Sequence, residues 1–259
     1  ANDNTAIGYE ALGANTTGGF NTAVGRDSLK ANTTGAYNVS VGANSADALT
    51  TGGQNVAIGH AALGSDTKGS KTIAIGESAL FAQNFTSATD TYNVAIGENA
   101  GTAVTTGVAN ILIGGLTGDA LTDADYNTAI GHQALSTDTL GSRSVALGYF
   151  ALRNQNFTSA TNSYNTALGF AAGEAITTGV QNTLIGGLAG DANTTGANNT
   201  TLGYLSLTAN TTGSGNVALG KAALESNTTA DNNTAVGKDT LRLNTTGHSN
   251  TAVGKDALV

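Results

Sequence analysis

The feature that most constrains this chain is a five-residue word, Asn4-Thr5-Ala6-Ile7-Gly8, which returns in close variants fifteen times. Its closing Gly stands at 8, 25, 42, 59, 76, 97, 114, 131, 148, 169, 186, 203, 220, 237 and 254, so twelve of the fourteen intervals are 17 residues and two are 21. A period this strict belongs to a stack of like units, each covering the hydrophobic face of the next.

The residue before each of these glycines is Ile, Val or Leu, the one two before is usually Ala, and the one three before is Thr, Val or Ile. A short alternating run of such residues reads as a strand. Period-2 alternation puts Thr5 and Ile7 on one face and Ala6 and Gly8 on the other. The expectation is that the aliphatic face, Ile130 included, points inward. The face of small residues, such as Ala95, Ala129 and Ala167, is then free to meet another chain in a parallel homo-oligomer. A second Gly ten residues further on, as at Gly18, Gly35 and Gly52, usually follows Thr-Thr and predicts a turn with positive φ. Each unit therefore reads as strand, bend, short second strand and turn. The chain reads as an all-β parallel β-solenoid or β-roll of fifteen 17-residue coils.

The repeat does not change character along the chain, which predicts one solenoid domain over 1–259. The two longer intervals follow Gly76 and Gly148 and carry the same insert, Gln83-Asn84-Phe85-Thr86-Ser87-Ala88-Thr89 and Gln155-Asn156-Phe157-Thr158-Ser159-Ala160-Thr161. The match extends on both sides, so 71–142 and 143–214 are two copies of one 72-residue block. The chain starts without Met and begins and ends in mid-pattern, and is read as a mature chain or a segment of a longer fibre.

Four residues before the strand Gly stands an Asn in thirteen copies: Asn4, Asn21, Asn38, Asn55, Asn93, Asn110, Asn127, Asn165, Asn182, Asn199, Asn216, Asn233 and Asn250. Thr72 and Ser144 are the exceptions. A column of identical amides at the start of each strand is expected to form a structural ladder between coils rather than a ligand-binding row.

Charge excludes some partners. Charged residues are 11% of the chain, the net charge is −8, and the ten Lys and Arg are scattered singly, so there is no basic stripe for nucleic acid. There is no Cys for a disulfide framework or thiol chemistry. No apolar run approaches the ~20 residues of a membrane span, so no insertion of this segment into a membrane is expected.

Catalytic and metal signals are weak. His60, His132 and His248 lie too many coils apart to share a site. Asp119, Asp123 and Asp125 are hard oxygen donors that would suit Ca²⁺, but the second copy keeps Asp191 and has Thr195 and Ala197 in place of the others. We expect no enzyme, metal or cofactor. Two surface features remain. Asn-Thr-Thr recurs at Asn15, Asn32, Asn193, Asn210, Asn227 and Asn244, each formally an N-glycosylation acceptor and each equally good turn chemistry. The paired inserts bring Phe85, Tyr92, Phe157 and Tyr164, which either contact a sugar or protein or cap the edge of a widened coil.

The repeated Asn-Thr-Ala-Ile-Gly, followed by a small residue and Leu, resembles the head repeat of trimeric autotransporter adhesins. The 17-residue form with Asn-Thr-Thr-Gly turns resembles repeat regions of bacteriophage tail fibres. The resemblance covers essentially the whole chain. It implies a trimeric parallel β-roll, an extracellular place on a bacterial surface or virion fibre, and an adhesive or spacing role toward a glycan or protein receptor it does not name. A structural filament or matrix protein, glycosylated at its turns, is the alternative. Ice binding ranks below both, because Thr5 shares its face with Ile7.

Overall fold

A computed structural model describes residues 3–259. The chain is all-β, a parallel β-solenoid of about fifteen turns with 17-residue coils, and no helix occurs among the described residues. It divides into two compact units, Ala1–Asn127 and Thr128–Val259, with the boundary inside the first copy of the duplicated block.

The first unit carries seven three-residue strands in one parallel sheet: Thr5–Ile7, Thr22–Val24, Val39–Val41, Val56–Ile58, Ile73–Ile75, Val94–Ile96 and Ile111–Ile113. The second carries eight: Thr128–Ile130, Val145–Leu147, Thr166–Leu168, Thr183–Ile185, Thr200–Leu202, Val217–Leu219, Thr234–Val236 and Thr251–Val253. Register is exact in the sense of the repeat, Thr5 beside Thr22, Ala6 beside Ala23 and Ile7 beside Val24. The expected second strand forms only around the inserts, where Gly69–Ser70 pairs with Thr89–Asp90 and Gly141–Ser142 with Thr161–Asn162. Elsewhere that wall is irregular but still bonded from coil to coil, as in Leu12 N–H to Ser28 O at 3.1 Å, Ala14 N–H to Lys30 O at 3.0 Å and Thr16 N–H to Thr33 O at 2.9 Å.

The faces of the strands are the reverse of the expectation. From Ala23 onward the central strand residue is buried, so Ala95, Ala129 and Ala167 point inward, whereas Ile130 is 40% exposed. The reason is the width of the coil. Four residues after the strand Gly, Leu29, Leu63, Leu80, Leu135, Leu152, Leu207 and Leu224 enter the interior from the opposite wall and are fully buried. A coil of 17 residues has no room for a second row of large side chains, so the strand contributes Ala and turns its Thr, Val, Ile and Leu outward.

Two places show that the interior has a fixed width. Leu112 and Leu184 replace the central Ala, and there the positions usually held by Leu on the opposite wall are Gly101 and Gly118, and Gly173 and Gly190. A Cβ on Gly101 would lie 2.7 Å from Leu112 Cδ1, and one on Gly173 2.7 Å from Leu184 Cδ1. The large residue has changed walls while the volume filled stays the same.

The turn glycines also differ from the expectation. Gly18, Gly35 and Gly52 do not adopt positive φ; their lack of a side chain matters because a Cβ would collide with the carbonyl oxygen of the turn in the next coil. Positive φ falls instead on the strand glycines, such as Gly25 (φ 138°), and on ordinary residues. In the coil from Thr22 to Asn38, Asp27 (φ 59°), Leu29 (φ 48°) and Tyr37 (φ 61°) are left-handed, a conformation that costs an L-residue roughly 1–2 kcal/mol. Stacking with the neighbouring coils overrides that cost.

Thr201 stands where most coils have Ala, between Leu184 and Ala218, and its hydroxyl is buried without a hydrogen-bond partner. Ser40, at the same coil position, is instead bonded to Ser28 Oγ at 2.8 Å and to Ser45 O at 2.8 Å. Leaving a buried hydroxyl unpaired costs ~1–3 kcal/mol. Thr201→Val, which keeps the shape, should therefore stabilise the protein by about 1 kcal/mol or more in denaturant unfolding. The reversed faces make a second test: Ile130→Asp should change stability by no more than about 0.5 kcal/mol, whereas Ala129→Glu buries an unpaired charge and should cost several kcal/mol. Equal melting of the two variants would contradict the orientation described above.

Candidate functional site

The Asn column at the strand starts is internal. Along the column the side chains make two kinds of bond. Asn4 Oδ1 accepts the backbone N–H of Asn21 at 2.7 Å, Asn21 Oδ1 that of Asn38 at 2.9 Å and Asn38 Oδ1 that of Asn55 at 3.0 Å. The amide nitrogen reaches across the coil to a turn carbonyl, as in Asn21 Nδ2 to Gly35 O at 2.9 Å and Asn199 Nδ2 to Gly213 O at 2.9 Å. The amides thus tie strand to turn as well as coil to coil, and from Asn21 to Asn233 they are buried, leaving none of their polar atoms for an outside ligand.

Where Thr72 and Ser144 interrupt this column, a buried polar cluster takes over in both copies. Gln83 Nε2 donates to Asp66 Oδ2 at 2.7 Å and to Thr72 Oγ1 at 3.1 Å, while its Oε1 accepts from Asn93 Nδ2 at 2.9 Å. In the second copy Gln155 Nε2 donates to Asp138 Oδ2 at 2.6 Å and to Ser144 Oγ at 2.8 Å, and Oε1 accepts from Asn165 Nδ2 at 2.8 Å. The other oxygen of each Asp accepts the backbone N–H of the insert Phe, Phe85 at 3.1 Å and Phe157 at 3.0 Å. The cluster anchors the root of the insert.

Those anchors divide the four aromatic candidates. Phe85 and Phe157 are 7% and 6% exposed and close the coil edge, whereas Tyr92 and Tyr164 stand on the surface. Tyr92 is already engaged: Lys71 Nζ lies 5.1 Å from its ring centroid and 3.1 Å from its hydroxyl. The Asn-Thr-Thr residues are likewise turned inward. Asn32, Asn193, Asn210 and Asn227 are fully buried, and Asn210 Nδ2 donates to Gly213 O at 2.9 Å and to Asn193 Oδ1 at 3.0 Å. A glycan cannot sit on a nitrogen so enclosed, which corrects the glycosylation reading at these four positions. Asn15 and Asn244, in the outermost such turns, are half-buried, with Nδ2 bonded to Gly18 O at 2.9 Å and Gly247 O at 2.8 Å.

Among the described residues no group of three His, Asp or Glu is placed to hold a metal. Asp123 Oδ1 accepts from Thr106 Oγ1 at 2.6 Å and Asp125 Oδ1 from Val108 N–H at 2.8 Å. His60 lies 3.8 Å from Glu77, His132 stacks on Tyr149 with centroids 5.4 Å apart, and His248 lies 3.3 Å from Ser249 Oγ.

No protein-family model, curated protein or solved structure matches this chain. The molecule's own internal duplication offers a different comparison. The two copies keep their insert and most of their core, and among the places where they diverge are those one or two residues past the strand glycines, where Glu77, Ser78 and Glu98 of the first copy become Tyr149, Phe150 and Phe170 in the second. Those rings form an exposed row with His132: Tyr149 stacks on Phe170 at 5.7 Å and 4°, and Phe150 lies 3.9 Å from Tyr149 with Arg153 4.2 Å above its ring. Counting aromatics only in the inserts overlooks this row. Aligning the two copies exposes it.

Burial pushes the Asp138 carboxyl above its ordinary range, against hydrogen bonds from Gln155 and from the backbone N–H groups of Phe157, Gly141 and Thr139. Burial also raises Asp47, Asp119 and Asp191. A raised carboxyl binds its proton more tightly folded than unfolded, so its contribution favours the fold at low pH and is lost as pH rises from the unfolded carboxylate range through the folded value. Stability from these groups should therefore fall as pH rises above about 4, and Asp138→Asn should make that fall shallower. Denaturant midpoints measured across this range test it; an unchanged slope in the variant would show that Asp138 is not the titrating group.

Proposed function

We propose that this chain is a non-enzymatic segment of an extracellular fibre, an adhesin head or phage tail-fibre shaft, that mediates or spaces attachment to a surface. In it, copies pack side by side through the outer face of the strand sheet. The observation that carries the reading is that face. In the second unit its two outward columns run Thr128, Val145, Thr166, Thr183, Thr200, Val217, Thr234, Thr251 and Ile130, Leu147, Leu168, Ile185, Leu202, Leu219, Val236, Val253. None of the chain's ten Lys and Arg or eighteen Asp and Glu falls in these columns or in their counterparts in the first unit. Eight strands at ~4.8 Å, each three residues of ~3.3 Å, give a sheet face of roughly 400 Å². An uncharged face of that size, aliphatic along one column and mainly Thr along the other, is comparable in area with the largest apolar patch on a typical monomer, ~300–600 Å², and such patches are often interaction sites.

The contact proposed is on this outward face rather than on the Ala face that the sequence suggested, because the Ala face is buried inside the coil. Parallel packing keeps like coils level, and the resemblance to adhesin heads favours three copies. Light scattering on the purified chain should give an oligomer, and Leu168→Asp with Leu202→Asp should reduce it to a monomer that melts as the parent does, since both residues are exposed in the single chain. A monomeric parent would rule out packing through this face. One observation also favours a second reading, ice binding: six of the eight strands of the second unit present Thr outward in one regular column. A monomer that shows thermal hysteresis would select it.

A further inference from the structure

We infer that the aromatic row of the second unit is a binding site for a neutral glycan, with one pyranose ring seated over Gly187 between the rings of Phe170 and Tyr204. The row is not needed by the fold. The same coil positions in the first copy carry Glu77, Ser78, Glu98 and His132 where the second carries Tyr149, Phe150, Phe170 and Tyr204; around the first three the buried alanines are kept, and around the fourth Ala129 and Ala134 become Thr201 and Ser206. Large aromatics left 44% exposed at Tyr149, 57% at Phe170 and 51% at Tyr204 therefore serve something outside the coil.

Most ring faces in the row cover one another. His132 and Tyr149 are stacked at 5.4 Å and 14°, Tyr149 and Phe170 at 5.7 Å and 4°. The next position in the column is Gly187, and the one after it is Tyr204. Backbone bonds hold the three coils in register, Leu188 N–H to Phe170 O at 2.9 Å and Leu205 N–H to Gly187 O at 3.2 Å. A side chain is thus missing from a column whose neighbours on both sides are rings. From the direction a Cβ of Gly187 would take, the nearest atoms are Cδ2 and Cε2 of Tyr204, at 3.5 and 3.9 Å, with no atom of Phe170 within 4 Å. The slot is floored by glycine and flanked by the rings of Phe170 and Tyr204.

Its width fits the ligand class. Two coil spacings come to ~9.4–9.8 Å, while a planar ring between two others needs two carbon contacts, ~7–8 Å in all. A pyranose chair is thicker than a planar ring because hydrogens stand on both of its faces, and those C–H faces suit the negative faces of aromatic rings. Its hydroxyls point sideways, where the slot opens to water. Arg153 is paired to Glu174 at 3.4 Å, and the next cation in the column, Lys221, stands one coil beyond Tyr204 on the far side from Gly187, so the slot itself carries no charge to select a phosphate or carboxylate. The inference names a ligand for the attachment part of the proposed function and does not use the packing part.

Chitohexaose and maltohexaose, titrated calorimetrically into the purified chain, test it. At least one should bind saturably. Gly187→Tyr fills the slot with a ring at ordinary contact distance and should weaken binding at least tenfold. Phe170→Glu, which installs the first copy's residue, should do the same. Both variants should keep the parent's melting and light scattering, which separates loss of the site from loss of the fold or of lateral packing. Absence of binding by both sugars, binding indifferent to Gly187→Tyr, or capture of a tyrosine-rich peptide in place of either sugar would overturn the assignment.

Discussion

Within a single turn of chain, Thr5, Leu12, Ala14 and Thr16 each donate a backbone N–H to a carbonyl of the next coil, and the rest of the structure depends on those bonds. Only three residues per coil form regular strand, yet hydrogen bonding continues around most of the perimeter. It holds ordinary residues such as Leu29 and Tyr37 in left-handed conformations that isolated L-residues avoid. It sets the spacing at which one Asn can serve the next, and it brings neighbouring turns so close that Gly35 cannot carry a Cβ. A single coil has no means of sustaining any of this, which is why such chains are stable only as stacks.

The inside is uniform because its width is fixed, and the outside is free to vary. The exchange of Leu and Gly between walls at Leu112 and Gly101 shows how strictly the interior holds its volume. The exchange of Glu98 for Phe170 at equivalent surface positions shows how loosely the exterior is held. Difference between copies of a repeat is therefore most informative on the surface, where the fold does not demand it.

The strand word, its period, the parallel stacking and the inserts were all legible in the sequence, because each is a pattern along the chain. What was not legible depends on distances across the coil. Alternation separates Ile130 from Ala129 but cannot say which of them faces in; that follows from Leu135 and its equivalents already occupying the interior from the other wall. Gly35 looked like a residue chosen for positive φ, and only the approach of the Gly52 carbonyl shows otherwise. Asn-Thr-Thr looked like a surface sequon, but its Asn turns inward because the amide satisfies the turn carbonyl three residues on. The pairing of Gln83 with Asp66 joins residues 17 apart whose types do not match, so no search for like residues finds it.

The exchange of Leu and Gly between walls has one more consequence. A chain of near-identical coils can misalign: a loop of 17 residues could be omitted and the flanking coils joined with most contacts restored. Such slipped forms would lie close in energy to the native one and trap the folding chain. A coil built around Leu112 cannot stack where Leu80 or Leu135 would face it without Gly between them, and Gln83 finds its partner in Asp66 alone among the aligned positions of its neighbours. These irregular coils act as index marks on an otherwise repetitive scale, giving each unit of the chain a place that no translation by one repeat can reproduce.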